Sequence, residues 1–310
     1  MSKKKFTGKI RTDPWEALAR GPKEVMASIW GEYLQELLEG PPKSGRNRLI
    51  RQDIEDTAGY RQIYQEWRGM SPEKRAESWR RLVRTARERY EVLKDTCVRC
   101  GECCEKSSPT LLLADLPLLT QEVLTWNDVY TLRPGEQVTS RDGIVTILEE
   151  ERLKVRELPG SRQCYFYQAA TQRCRLYEQR PEQCRRQQCW GEPPPPIQSA
   201  ELLTRRHLFA DIPKVWELIT AHQNRCDLFK MRQILTEVAS GQDDTWEPLF
   251  EALHFDHFLR RMLISDWELK PAATDLLLGR PLVDFLRTCG VKASFTPEGV
   301  FRLEPCQPSQ

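Results

Sequence analysis

Cys97-Val98-Arg99-Cys100-Gly101-Glu102-Cys103-Cys104 decides how the rest of the chain is read. A C-x₂-C step is the common knuckle that turns two thiolates toward one metal. Two such steps overlap here and place three thiolates within seven residues. Gly101 suits the tight turn between them, because a residue without Cβ tolerates positive φ. Cys104 directly follows Cys103. Neighbouring side chains diverge by about 100° on a helix and about 180° on a strand. The adjacent pair is therefore expected to feed two neighbouring sites, or to keep one thiol reactive rather than ligating.

A second group lies downstream as Cys164-x₉-Cys174-x₉-Cys184-x₄-Cys189. Four thiolates plus four suit two four-thiolate sites, or one site and a redox pair. The expectation is that Cys97, Cys100, Cys103 and Cys104 come together with Cys164, Cys174, Cys184 and Cys189 in one compact cluster. Iron–sulfur clusters and structural zinc take the same ligand set, and spacing alone does not choose between them. The bacterial ferredoxin run differs, because here the fourth Cys is adjacent to the third and no Pro follows it. Between 161 and 190 there are six Arg and two Glu. Arg173, Arg175, Arg180, Arg185 and Arg186 read either as charge that stabilises thiolates or as a solvated turn.

The chain has 310 residues, 11 of them Cys. The three cysteines outside the two groups lack knuckle spacing. Cys226 and Cys289 are expected to pack in the core, and Cys306, near a polar C-terminus, to be a spectator. The basic start is followed by no apolar run, so no secretory signal is expected. Clustered thiols without one point to metal or redox chemistry in a reducing compartment, and the location is read as cytoplasmic. Lys+Arg 47 against Asp+Glu 45 leaves a net charge of +2, which weakens any case for nucleic acid or an anionic membrane as main partner. No apolar stretch approaches the roughly 18 residues that span a bilayer.

Outward from the cysteines, the periodicities are helical. Residues 1–22 look loose. Val25, Met26, Ile29, Trp30, Tyr33, Leu34, Leu37 and Leu38 form a helical stripe that Gly40-Pro41-Pro42 stops. Pro41–Asn47 reads as a basic linker, and one further helix carries Ile54, Ile63, Tyr64 and Trp67. Ser71-Pro72 supplies a cap and a first-turn Pro for a helix to about Lys94, with Trp79, Leu82, Val83, Ala86 and Tyr90 inward. Arg80, Arg81, Arg84, Arg87 and Arg89 lie mostly on its other side. Residues 1–96 hold 21 Lys and Arg against 15 Asp and Glu, and this helix is either a solvated face or a docking surface for an acidic partner. Leu111–Leu119 is expected to be partly helical, and Leu132–Glu136 to turn. Gly143–Leu148 and Leu153–Leu158 read as a β-hairpin around Glu149-Glu150-Glu151. Pro193–Pro196 is a spacer that no helix crosses. Residues 199–239 and 246–266 are helical, and Val291–Phe295 with Val300–Leu303 closes the chain as two short strands.

At the cysteines the sequence resembles the YkgJ-like cysteine-cluster proteins, a zinc- or iron-chelating domain family with a C-x₂-C-x₂-C-C signature. The resemblance rests on Cys97, Cys100, Gly101, Cys103 and Cys104. It continues through Cys164-Tyr165-Phe166-Tyr167, Cys174-Arg175-Leu176-Tyr177 and Arg180-Pro181-Glu182-Gln183-Cys184-Arg185, with Cys189 as the eighth position. It covers roughly residues 95–190 and implies metal chelation, with no defined reaction. A distant relative with a similar cluster, flagellin lysine N-methylase, keeps a protein-modifying enzyme open as an alternative.

Other chemistries lack their motifs. No G-x-G pair exists for a dinucleotide or methyl-donor loop, and no G-x-S-x-G elbow is present. Gly40–Asn47 mimics a phosphate loop but has Arg46-Asn47 where Lys-Ser/Thr is required. His254 with His257, and His222 with Cys226, share helical faces and are open as further ligands, although packing roles are commoner.

The reading is a mainly α chain, with helical regions at 1–95 and 193–310 around a cysteine module at 96–192 that contains a small β-hairpin. That module is expected to hold an iron–sulfur cluster, or alternatively zinc. Iron would serve redox chemistry or electron transfer with a redox or protein partner, docking on the Arg-rich 72–94 helix. Zinc would hold chain segments together, in an interaction module.

Overall fold

The computed structural model describes residues 14–38, 45–139, 143–191, 194–240 and 246–306. The helix stop at Gly40-Pro41-Pro42 and Pro193 of the proline spacer lie outside them. The chain is mainly α with small antiparallel strand pairs. It divides into two compact units, Met1–Glu102 with Gln188–Pro193, and Cys103–Gln187 with Pro194–Gln310. No helix among the described residues is long and apolar enough to cross a membrane.

In the first unit the helix Pro72–Leu93 forms where its cap dictates. The Ser71 hydroxyl accepts the Lys74 amide, and Pro72 occupies the first turn. Trp79, Leu82 and Ala86 are buried, whereas Arg80, Arg81, Arg84, Arg87 and Arg89 are exposed. Trp30, from the helix Lys23–Leu37, anchors the core. It stacks on Tyr60 at 5.4 Å and meets Trp79 edge-on at 5.7 Å. Buried aromatic pairs of this kind contribute about 0.5–1.5 kcal/mol beyond their area.

Three expectations are corrected in this unit. Residues 1–22 are not all loose, since Pro14–Arg20 is a helix with Leu18 buried. Gly45–Asn47 is not linker but the first turn of the helix Gly45–Glu55. The single helix read across Ile54 and Ile63 is two, because Thr57 ends one and caps the next. Its hydroxyl donates to the Ile54 carbonyl at 2.8 Å and accepts the Tyr60 amide at 3.3 Å.

In the second unit the helix Pro271–Leu278 packs against the strand Val129–Leu132, which pairs with Arg152–Val155. Here the expected hairpin is corrected. Both strands exist, but Val145–Ile147 pairs with Gln137–Thr139, and Arg152–Val155 pairs with Val129–Leu132. Burial explains the choice. Leu153 and Val155 are fully buried and need a buried partner strand, which Thr131 and Val129 opposite them supply, whereas Val145 and Ile147 are exposed. The acidic tip is not a free turn either. Glu151 accepts the Arg205 amide at 2.6 Å and its Nε at 2.8 Å, and Arg205 is fully buried.

The helical stretch read over 199–239 is divided, with Arg205–Phe209, Pro213–Arg225 and Leu228–Ala239 as separate α-helices. Glu247–Ser265 follows. Two helices that the periodicity did not indicate, Pro271–Leu278 and Leu282–Thr288, complete the core. The terminal strands are Val291–Phe295 and Phe301–Pro305. They receive both histidines of the 254/257 pair, with His257 stacked on Phe295 at 4.1 Å and His254 edge-on to Phe301 at 5.2 Å.

His222 is buried and its Nε2 lies 2.8 Å from Oδ1 of Asp256. Asp256 also accepts Arg260 Nε at 3.0 Å and the Leu282 amide at 3.1 Å. Burial alone would raise the Asp256 carboxyl, but Arg260 and His222 outweigh it and hold it below the usual carboxylate range. Burial pushes His222 down to about 4 from 6.5, so the neutral ring donates to an ionised Asp256. An unfolded chain takes up a proton at His222 as pH falls through 6.5, whereas the folded chain resists until about 4. Stability from this group is therefore complete above the higher value and is lost toward the lower one. We expect it to cost up to about 3 kcal/mol across that window. Urea unfolding of wild type and His222→Gln at several pH values checks this. The variant should lack that part of the acid dependence, and an unchanged slope would contradict it.

Candidate metal centre

Five of the eight expected ligands, Cys103, Cys104, Cys164, Cys174 and Cys184, belong to the second unit. Cys97, Cys100 and Cys189 belong to the first. Gly101 adopts φ +83°, the conformation its place in the knuckle required. Cys103 and Cys104 then lie on the short helix Glu102–Lys106. Their Sγ atoms are 3.8 Å apart. Adjacent thiols were expected to diverge, but each Cβ–Sγ bond rotates among staggered wells, and here the two sulfurs converge.

The two cysteine groups meet through the backbone. The Cys164 amide donates to the Cys104 carbonyl at 2.8 Å. Cys164 also bridges to Glu157 beyond the strand Arg152–Val155, and its carbonyl accepts the Tyr167 amide at 3.0 Å. Cys174 sits opposite Tyr167 in the pair Tyr167–Gln168 with Arg173–Cys174. Cys184 rides on the helix Glu182–Arg186. That helix is fixed by a residue sequence reading did not single out. Asp115, fully buried, accepts the Glu182 amide at 2.7 Å and the Leu112 amide at 2.9 Å. Gln183 adds a second tie by accepting the Thr110 amide at 2.6 Å.

At Cys104 and Cys164 the surroundings favour the protonated thiol in the absence of a cation. The Cys104 thiol is pushed strongly upward by its hydrogen bond with Cys103, by burial, and by the charges of Cys103, Cys184 and Cys164. Burial pushes Cys164 up to about 11, with a further push from Cys174. Arg175, Arg180, Arg185 and Arg186 are engaged elsewhere. Arg185 and Arg186 pair with Glu182 at 3.0 and 3.1 Å, and Arg186 reaches Glu201 at 2.6 Å. Arg175 lies over Tyr165 at 4.8 Å and Arg180 over Tyr177 at 4.0 Å. They brace the scaffold, and the leading influences on Cys104 and Cys164 come from burial and from other thiols.

Among the described residues no group of three or more His, Cys, Asp or Glu side chains already stands in ligating arrangement. The Cys103–Cys104 pair is closed to 3.8 Å, while Cys164 and Cys184 act on Cys104 at longer range. The donor chemistry nevertheless fits a thiophilic cation. A bound metal deprotonates its thiols outright, and its charge relieves the mutual repulsion that keeps these protonated.

Residues 96–208 match the CxxCxxCC family, described as a "putative zinc- or iron-chelating domain". No curated protein and no solved structure matches the chain.

The three remaining cysteines differ in setting. Cys226 is buried with its thiol 3.6 Å from the Ala252 carbonyl, and burial pushes that thiol up to about 12. Cys289 packs against the same core, and Cys306 is half-buried. Replacing all three with Ala is expected to leave bound metal per chain unchanged, while Cys226→Ala costs about 1 kcal/mol by leaving a small void. Metal analysis beside thermal melting checks both, and a loss of metal would contradict the assignment.

Proposed function

We propose, for a chain whose residues 96–208 match the CxxCxxCC family, that Cys103, Cys104, Cys164 and Cys184 hold a single metal ion. One observation carries this reading, the 3.8 Å separation of the Cys103 and Cys104 sulfurs. Two thiolates bound tetrahedrally to one ion, with metal–sulfur bonds of about 2.3 Å, stand about 3.8 Å apart. In a cubane cluster each cysteine holds a different iron, which sets the sulfurs further apart. Cys174, whose charge acts on Cys164, and Cys97, Cys100 and Cys189, which lie within the first unit, are the remaining expected ligands.

Zinc is the ion that best suits four thiolates with no open position, since catalytic zinc sites keep one place for water or substrate. Its role is then to staple the segment at 103–104 to the segment at 164–184. Iron in the same set would add one-electron chemistry. The protein's part is to hold the thiols ready. The Cys104 carbonyl orients Cys164, and Asp115 holds the helix that carries Cys184. A reducing cytoplasm suits so many thiols. The exposed arginines of Pro72–Leu93 favour an acidic protein surface as partner, since like charge repels and opposite charge steers encounter.

Cobalt substitution tests the reading. Cobalt(II) added to metal-free protein should give intense thiolate charge-transfer absorption. Cys104→Ser and Cys164→Ser should each remove most of it and most of the zinc retained on purification. Full retention of both signals in either variant would contradict the assignment.

A further inference from the structure

We infer that Arg46, from outside the matched domain, is the positioning residue that holds the Cys189 segment beside the Cys97–Cys100 knuckle. The inference rests on the metal-binding reading for its purpose, and its geometry is independent of it. Arg46 is 9% exposed, on the first turn of Gly45–Glu55. A cation there opposes the helix dipole; the turn holds no acidic residue of its own, and Glu102 meets it by accepting the Gly45 amide. Its side chain is engaged away from its own helix. Nη1 donates to the Thr96 carbonyl at 2.6 Å, and Nη2 donates to the Leu93 and Lys94 carbonyls at 2.7 Å each.

Those carbonyls close the C-terminal end of Pro72–Leu93, whose own last turn holds no basic residue. Lys94, at the C-cap, is paired with Glu91, and Arg46 brings a cation onto the carbonyls themselves, as helix C-termini favour. Thr96 directly precedes Cys97. The guanidinium also lies 4.9 Å from the ring centroid of Trp190, which directly follows Cys189. One guanidinium therefore donates to the chain beside Cys97 and lies over the ring of the residue beside Cys189. Only a guanidinium does both, because it combines forked donors with a flat surface that stacks on an indole.

The test uses metal-free, reduced full-length protein, a short thiol–thiol cross-linker, and mass spectrometry of the linked peptides. Wild type should join Cys189 to Cys97 or Cys100. Arg46→Ala should lower that yield about tenfold, the order expected when a charge-assisted bond is lost. Arg46→Lys should not restore it, since an ammonium has no fork. Trp190→Ala should lower it with helix content unchanged, because the carbonyl bonds remain, and it decides the matter if Arg46→Ala fails to fold. Absence of the link in wild type, an undiminished link in folded Arg46→Ala or in Trp190→Ala, or full restoration by Lys would each overturn the inference. Zinc affinity measured on the same proteins separates the two readings. A wild type that binds no metal ends the metal reading and leaves the cross-links to decide this one.

Discussion

The hydrogen bond from the Cys164 amide to the Cys104 carbonyl, 2.8 Å long, joins two chain segments sixty residues apart. It sets where Cys164 stands relative to Cys103 and Cys104. It brings the one buried cysteine of the eight against the short helix that carries Cys103 and Cys104. The intervening chain then runs out through two strand pairs and returns along Arg152–Val155 to Glu157 and Cys164. Closing a long loop costs little more than closing a short one, because the entropy grows only with the logarithm of length. One backbone bond is nevertheless a weak fastening, worth about 0.5–1.5 kcal/mol net. An ion shared by thiolates from both segments would make the closure far stronger, since its binding energy becomes folding energy.

The charge balance points the same way. A site built to keep free thiolates would surround them with cations, yet Arg175, Arg180, Arg185 and Arg186 spend themselves on Glu182, Glu201, Tyr165 and Tyr177. Cys104 is raised by its hydrogen bond with Cys103, by burial and by neighbouring thiols, and Cys164 by burial and by Cys174. Such thiols are poor nucleophiles, because the thiolate is the reactive form. This setting favours ligation over covalent chemistry at Cys104.

The helix Pro72–Leu93 was legible because local signals agree there, with Ser71-Pro72 at its start and Trp79, Leu82 and Ala86 at helical spacing. The cysteine groups were legible by composition and spacing. Strand partners were not. Leu153 and Val155 alternate clearly, but their partner Val129–Leu132 is buried at all four positions and shows no alternation. Pro271–Leu278 was missed for a related reason, since Leu276, Leu277 and Leu278 are all buried and no polar face marks the turn. Asp115, Arg133, Arg205 and Asp256 were passed over because charge in sequence reads as surface, whereas burial of each depends on distant contacts. The convergence of Cys103 and Cys104 was hidden for another reason. Backbone periodicity sets where Cβ points, and the last rotation that places sulfur is set by the surroundings.

X-ray absorption at the metal edge of the protein as purified tests the central claim most directly. A single ion on four cysteines predicts one shell of sulfur scatterers at about 2.3 Å and no metal–metal vector. A metal–metal shell would mean a cluster, and a shell dominated by nitrogen or oxygen would place the metal elsewhere. Either result would contradict the four-thiolate, single-ion account.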